Sequence, residues 1–184
     1  MKCGRNIGGI SADIFNNNPD NAKEIASDDL IIQYDTGRIS PEQFHGAITD
    51  KYGLNIDFAE FVELWCGVFS PIPGMDKLLR ELNGRVVLGL LSDTDPLHWN
   101  YLLKEYSVLN IIENPTLSYK IGVMKPSAAI YLAAARNIDT PPKDCLYVDD
   151  LAANVEGARL VGMNAIQFEG TALLREKLIR RGIL

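Results

Sequence analysis

The sequence predicts an α/β protein with a parallel sheet, preceded by a small helical unit. Three observations carry this. Residues 145–148 and 165–168 are apolar runs of strand length, separated by a helix-like segment from Ala152 to Val161 that Gly162 closes. Residues 85–91, RVVLGLL, form a continuous apolar run of the kind buried in parallel sheets. Before Ser70-Pro71-Ile72-Pro73-Gly74 the rhythm is helical, and that Pro/Gly stretch marks a boundary. Strands alternating with helices mean βαβ units. The expected division is residues 1–70, helical with a weakly patterned start, and residues 71–184, the α/β core.

Taken in order, residues 1–19 read as loop, with Gly4, Gly8, Gly9 and an Asn run up to Pro19. Asp20 can cap a helix reaching about Asp35, which Thr36-Gly37 ends. Ser40-Pro41-Glu42-Gln43 has a serine cap, proline at the first position and glutamine at the third, a capping-box pattern. Phe44, Ala47, Ile48 and Tyr52 then lie on one face, and Gly53 stops the helix. Asp57 and Glu60 repeat the capping pattern ahead of Phe58, Phe61, Val62, Leu64 and Trp65, an aromatic face read as core rather than a ligand box. In the second unit the pattern predicts a helix over 75–82, a strand over 85–91, a helix over 97–106 and a short strand over 116–121. A helix over 127–136, the strand 145–148, the helix 152–161, the strand 165–168 and a last helix from Thr171 follow.

Composition narrows the function. Acids outnumber Lys and Arg by 24 to 18, the net charge is −6, and no basic block appears, which argues against a nucleic-acid partner. The three cysteines, Cys3, Cys66 and Cys145, make neither a disulfide framework nor a zinc spacing. They suit a reducing, cytoplasmic compartment, with Cys66 and Cys145 as small buried hydrophobes. No apolar run approaches membrane-span length, and the N-terminus lacks a signal-peptide stretch. His45 and His98 read as surface or packing residues. Oligomeric state is open.

Right-handed crossovers bring the C-terminal ends of the strands to one edge, where ligands bind in open α/β sheets. That edge collects Ser92, after the strand 85–91; Lys125, in the loop Gly122–Pro126; and Asp149 with Asp150, after the strand 145–148. Alone, the acid pair fits a hard cation or an ordinary helix N-terminus equally well. With a hydroxyl and an ammonium beside it, the set suits a Mg²⁺-dependent phosphate site. The hydroxyl and nearby N–H groups donate to phosphate oxygens, the lysine offsets their charge, and the acids hold the metal.

The ordered motifs LLSDTD (90–95), GVMKP (122–126) and YVDDLAANVEGARLVGM (147–163) resemble the second, third and fourth signature motifs of the haloacid dehalogenase-like superfamily. YDTGRISPEQF (34–44) and FSPIPGM (69–75) resemble its subgroup with a small helical cap inserted early in the core. The resemblance implies a Rossmann-like three-layer core, a helical cap, and hydrolysis of a small phosphorylated metabolite with Mg²⁺ through an aspartyl-phosphate. It implies that Ser92 binds phosphate, that Lys125 neutralises phosphate and nucleophile, and that Asp150 binds the metal. Asp149 becomes a second ligand or a supporting carboxylate, and Asn154 orients the loop.

Two departures stand out. The superfamily's first motif, a strand ending in Asp-x-Asp-Gly or a variant that carries the nucleophile, is not found. Asp13, in ISADIFN (10–16), is the nearest candidate, but Phe15 and Asn16 stand where an acid and a glycine belong. The expectation is a chain that starts short of its central first strand, or one in which residues 5–14 or another chain fill that place. Asp93 stands where relatives carry Asn beside the phosphate-binding hydroxyl, so its carboxylate must turn away from phosphate or be held by metal. Other readings are a catalytically inactive relative that binds or scaffolds, and a haloacid dehalogenase. A receiver domain fits less well, because its acids belong near the N-terminus.

Overall fold

Local capping defines the helices of the first unit. The computed structural model describes residues 28–184; the readings on residues 1–27, Asp13 and the Asp20 cap among them, lie outside these. Helix α1 (Asp29–Asp35) opens on the extended Asp28, whose carboxylate accepts the Leu30 N–H at 3.1 Å, and closes at Thr36, so the helix that reaches Asp35 starts at Asp29 and does not run unbroken from Asp20. Helix α2 (Pro41–Tyr52) has the expected capping box. The Gln43 N–H donates to Ser40 Oγ at 3.2 Å, and the Ser40 N–H donates to Gln43 Oε1 at 2.8 Å. Gly53 ends it in the left-handed region. Helix α3 (Phe58–Cys66) is capped by Asp57, which accepts the Glu60 N–H at 2.9 Å.

These helices enclose an apolar cluster of Ile31, Tyr34, Phe44, Ile48, Phe61, Trp65 and Cys66, all buried. Tyr34 stacks on Phe44 with ring centroids 4.3 Å apart, and Phe44 meets Trp65 edge-on at 5.0 Å. The aromatic face is therefore core, as its helical spacing predicts.

The second unit continues with α4 (Met75–Leu82), β1 (Leu91–Ser92), α5 (Pro96–Glu105), β2 (Thr116–Leu117), α6 (Ser118–Ile121), α7 (Ala128–Asn137), β3 (Leu146–Asp149), α8 (Ala152–Leu160), β4 (Asn164–Gln167) and α9 (Thr171–Ile179). The strands pair in parallel, β1 with β2 and β3 with β4, each pair joined through helix. Alternate residues face opposite layers, as the two-residue period of a strand requires. Leu146, Val148 and Ile166 pack against α4 and α9 through Leu78, Leu82, Leu174 and Leu178. Tyr147 and Ala165 pack against α7 and α8 through Ile130, Tyr131 and Ala158. The result is a three-layer, Rossmann-like α/β/α arrangement.

Two expectations need correction. The apolar run 85–91 is not a continuous strand: only Leu91 and Ser92 join a ladder, and Val87 is 68% exposed. Strand assignment needs a neighbour, and among the described residues β1 pairs only with β2 and β3 only with β4. The run 116–121 pairs for two residues and then turns helical, because Ser118 is drawn into the loop after β1. Its Oγ accepts the Thr94 N–H at 2.9 Å and donates to Thr94 O at 3.0 Å.

Candidate functional site

The site is built where the strand pairs end. Ser92 is the last residue of β1, half-buried, with its hydroxyl 3.4 Å from the Asp93 carbonyl. Lys125 precedes α7 in the loop after α6, joined to Pro126 by a cis peptide bond. Asp149 closes β3 and Asp150 follows it before α8. The three sequence-predicted clusters thus meet at one edge of the fold.

Lys125 is the bridge between them. Its ammonium donates to Asp149 Oδ2 at 2.9 Å, with side chains only 11% and 8% exposed. Its backbone N–H donates to Asp93 Oδ1 at 3.0 Å. Asp93 is therefore turned toward the lysine loop.

Asp149 accepts more than the lysine. Oδ2 also takes the Tyr147 hydroxyl at 2.5 Å; Oδ1 takes the Leu151 N–H at 2.9 Å and Asn154 Nδ2 at 3.1 Å. Burial alone would push its carboxyl upward. The Tyr147 hydrogen bond, the Lys125 charge and the Leu151 N–H outweigh it and hold the group below the usual carboxylate range. Burial and the Asp149 charge push the Tyr147 phenol well up, so it remains a donor. Asp150 differs. Its carbonyl accepts Gln167 Nε2 at 3.0 Å, which fixes the loop to β4, while its carboxylate takes no hydrogen bond among the described residues.

Asn154 lies in the first turn of α8, buried, where its amide reaches Asp149 and its carbonyl accepts the Tyr131 hydroxyl at 2.8 Å. Tyr147 is the residue that sequence reading missed. Its signal was available: it lies two positions before Asp149, hence on the same strand face, and brings a hydroxyl into an otherwise aliphatic run. A second missed group sits where α3 meets α5. The buried Asp95 carboxylate caps α5, accepts Trp65 Nε1 at 3.1 Å, and lies 2.7 Å from His98 Nδ1, whose Nε2 is 2.8 Å from Trp65 O. His98 is accordingly a packing residue, flat against Trp65 at 5.0 Å.

A divalent cation at this edge would find Asp150 as a hard oxygen ligand. Among the described residues no group of three or more His, Cys, Asp or Glu side chains converges to hold one. The donor set still fits Mg²⁺, which keeps several waters and is held by one or two carboxylates plus substrate phosphate.

The chain is similar to known proteins in sequence and in fold. The chain is 25% identical over 160 residues to a D-ribitol-5-phosphate phosphatase of Bacteroides thetaiotaomicron, covering 79% of this chain and 74% of that protein. It is 26% identical over 133 residues to a sesquiterpene phosphatase of Aspergillus oryzae, covering 71% and 68%. A crystal structure of a haloacid dehalogenase family enzyme of Bacteroides thetaiotaomicron, complexed with magnesium and inorganic phosphate, superposes with a TM-score of 0.78 at 24% identity, covering 92% of this chain and 88% of that one. No helix among the described residues is long and apolar enough to cross a membrane. The model of the haloacid dehalogenase-like hydrolases matches residues 14–162, and the chain belongs to that family.

Proposed function

We propose that this chain is a Mg²⁺-dependent phosphomonoesterase acting on a small phosphorylated metabolite. The observation that carries the reading is Lys125, held by Asp149 through its ammonium and by Asp93 through its backbone, at the loop where the Asp150 carboxylate takes no hydrogen bond among the described residues. A fixed cation next to a hard-ligand carboxylate is what a phosphate dianion and a divalent metal together require. The relatives named as phosphatases support it.

In this reading the Ser92 hydroxyl donates to a phosphate oxygen, and Lys125 offsets phosphate charge as a point cation. Asp150 holds Mg²⁺, which when bound polarises the phosphoryl group. Asp149 and Asn154 fix the loop, and Asp93 positions Lys125. Residues 1–70 act as a cap that selects the substrate over the core, 71–184. The attacking carboxylate of the aspartyl-phosphate route is assigned to none of the described residues; Asp13, the sequence candidate, lies outside them.

The test is release of phosphate from p-nitrophenyl phosphate by the 184-residue protein, with and without Mg²⁺, and with Asp150→Ala. Release that needs Mg²⁺ and disappears in the variant supports the reading. Absence of release at every metal concentration overturns it in favour of a second one, an inactive phosphate-binding member of the family. That alternative is favoured by Phe15 and Asn16, which stand where the superfamily's first motif carries an acid and a glycine.

A further inference from the structure

An ionised carboxylate offers about four lone-pair directions, two on each oxygen. Asp149 has a donor for each: Leu151 N–H and Asn154 Nδ2 on Oδ1, Lys125 Nζ and Tyr147 Oη on Oδ2. Two of these come from loop segments, the Lys125 ammonium and the Leu151 N–H. The tyrosine hydroxyl is an addition, and its bond, at 2.5 Å, is the shortest of the set.

Tyr147 is not free to turn away. Its ring stands perpendicular to that of Tyr131 with centroids 5.3 Å apart, within the cluster formed by α7 and α8. Tyr131 in turn donates to the Asn154 carbonyl. Gly157 admits Tyr131 against α8; a Cβ there would lie 2.9 Å from the Tyr131 hydroxyl. Tyr131, Tyr147, Asp149 and Asn154 therefore close a ring of contacts, and the strand and helix on either side of the acid loop hold it in place.

We propose that Tyr147 is a positioning residue that reserves Asp149 as the anchor of Lys125, so that a divalent cation bound at this loop takes Asp150 and not Asp149. The proposal rests on the reading that Asp150 holds the metal. It assigns the two adjacent acids different tasks, which their residue type and spacing do not distinguish. Removing the hydroxyl takes the shortest of the four bonds from Asp149, so its carboxylate is freer to turn toward a cation bound at the loop.

The test is Mn²⁺ binding to the full chain, followed by electron paramagnetic resonance, with no substrate present. Tyr147→Phe keeps the ring and its contact with Tyr131. It should tighten Mn²⁺ binding on the order of tenfold, about 1.4 kcal/mol in binding free energy. Asp149→Asn should weaken binding more in the Tyr147→Phe background than in the wild type; comparing the two backgrounds removes the purely electrostatic loss. A structural role alone would lower stability without raising affinity. Unchanged or weaker Mn²⁺ binding by folded Tyr147→Phe, or an equal cost of Asp149→Asn in both backgrounds, overturns the proposal. Asn154→Ala opens Oδ1 without altering β3 and takes the place of Tyr147→Phe should that variant lose its near-ultraviolet circular dichroism, with the same outcomes. Wild-type Mn²⁺ binding that survives Asp150→Asn overturns the assignment of the metal to Asp150 as well, which separates failure of that reading from failure of this one.

Discussion

Lys125 and Asp149, 24 positions apart in sequence, meet at 2.9 Å across the ends of two strand pairs that share no ladder among the described residues. The lysine belongs to the loop that Asp93, just past β1, grips by its backbone N–H, and the acid ends β3. One side chain thus ties together the halves of the sheet edge at the point where the chemistry is proposed.

Replacing Lys125 by Met leaves Asp149 with its other three donors but without its counter-charge. Loss of a partner from a largely buried charged group is expected to destabilise by about 1–3 kcal/mol. A lower urea midpoint with an unchanged m-value checks it. A midpoint equal to the wild type's would show that the pair contributes nothing to folding.

Asp149 also predicts the acid limb of stability. Its folded value lies below its unfolded one, about 3.9 for a free aspartate, so its contribution is fully present above the unfolded value and is lost as pH falls through the folded value. Asp149→Asn should therefore flatten the fall of unfolding free energy in the acid range, measured by urea titrations at successive pH values. Parallel wild-type and variant curves would contradict the assignment.

Trp65→Phe keeps an aromatic ring in the helical cluster but removes the donor to the buried Asp95 carboxylate. A hydrogen bond to a charged group contributes about 1.5–3 kcal/mol, and a loss of that size is expected. Asp95→Asn combined with Trp65→Phe should cost less than the sum of the two single changes, because the residues share one interaction. Strict additivity would mean that the contact seen here carries no energy.

Gly37 sits at φ 69°, where a Cβ would lie 2.2 Å from the carbonyl oxygen of Tyr119. The turn after α1 therefore rests directly on α6, the segment that leads into the Lys125 loop. Gly37→Ala combines left-handed strain with a backbone clash and is expected to cost more than about 1 kcal/mol. For a chain of this size each kcal/mol lowers the melting temperature by about 2–4 °C, so a thermal scan suffices. An unaltered Tm would show that the two segments part without cost.

Much of the fold was legible because its signals are local. Ser40 with Gln43, Asp57 with Glu60 and the glycines 53 and 162 set helix ends through atoms within a few residues of one another. Ser92, Lys125 and the acid pair stood out because each follows an apolar run or precedes a helix. Their convergence was inferred from the handedness of parallel crossovers, which is a property of L-residues rather than of this chain. The strand 85–91 was over-read for the opposite reason: an apolar run states a preference for burial, but a ladder exists only where another backbone supplies its donors and acceptors.

By itself, then, the sequence determined the helix caps, the order of strands and helices, and which side chains could reach the sheet edge. Tertiary structure decided how those side chains divide the work. Asp149 and Asp150 are identical neighbours in sequence, yet one is filled by Lys125, Tyr147, Asn154 and a backbone N–H while the carboxylate of the other takes no hydrogen bond among the described residues. The physical reason is the two-residue period of β3. It turns Asp149 inward with Tyr147, toward donors carried by distant segments, and leaves Asp150 in the loop beyond the strand, where no donor among the described residues reaches it.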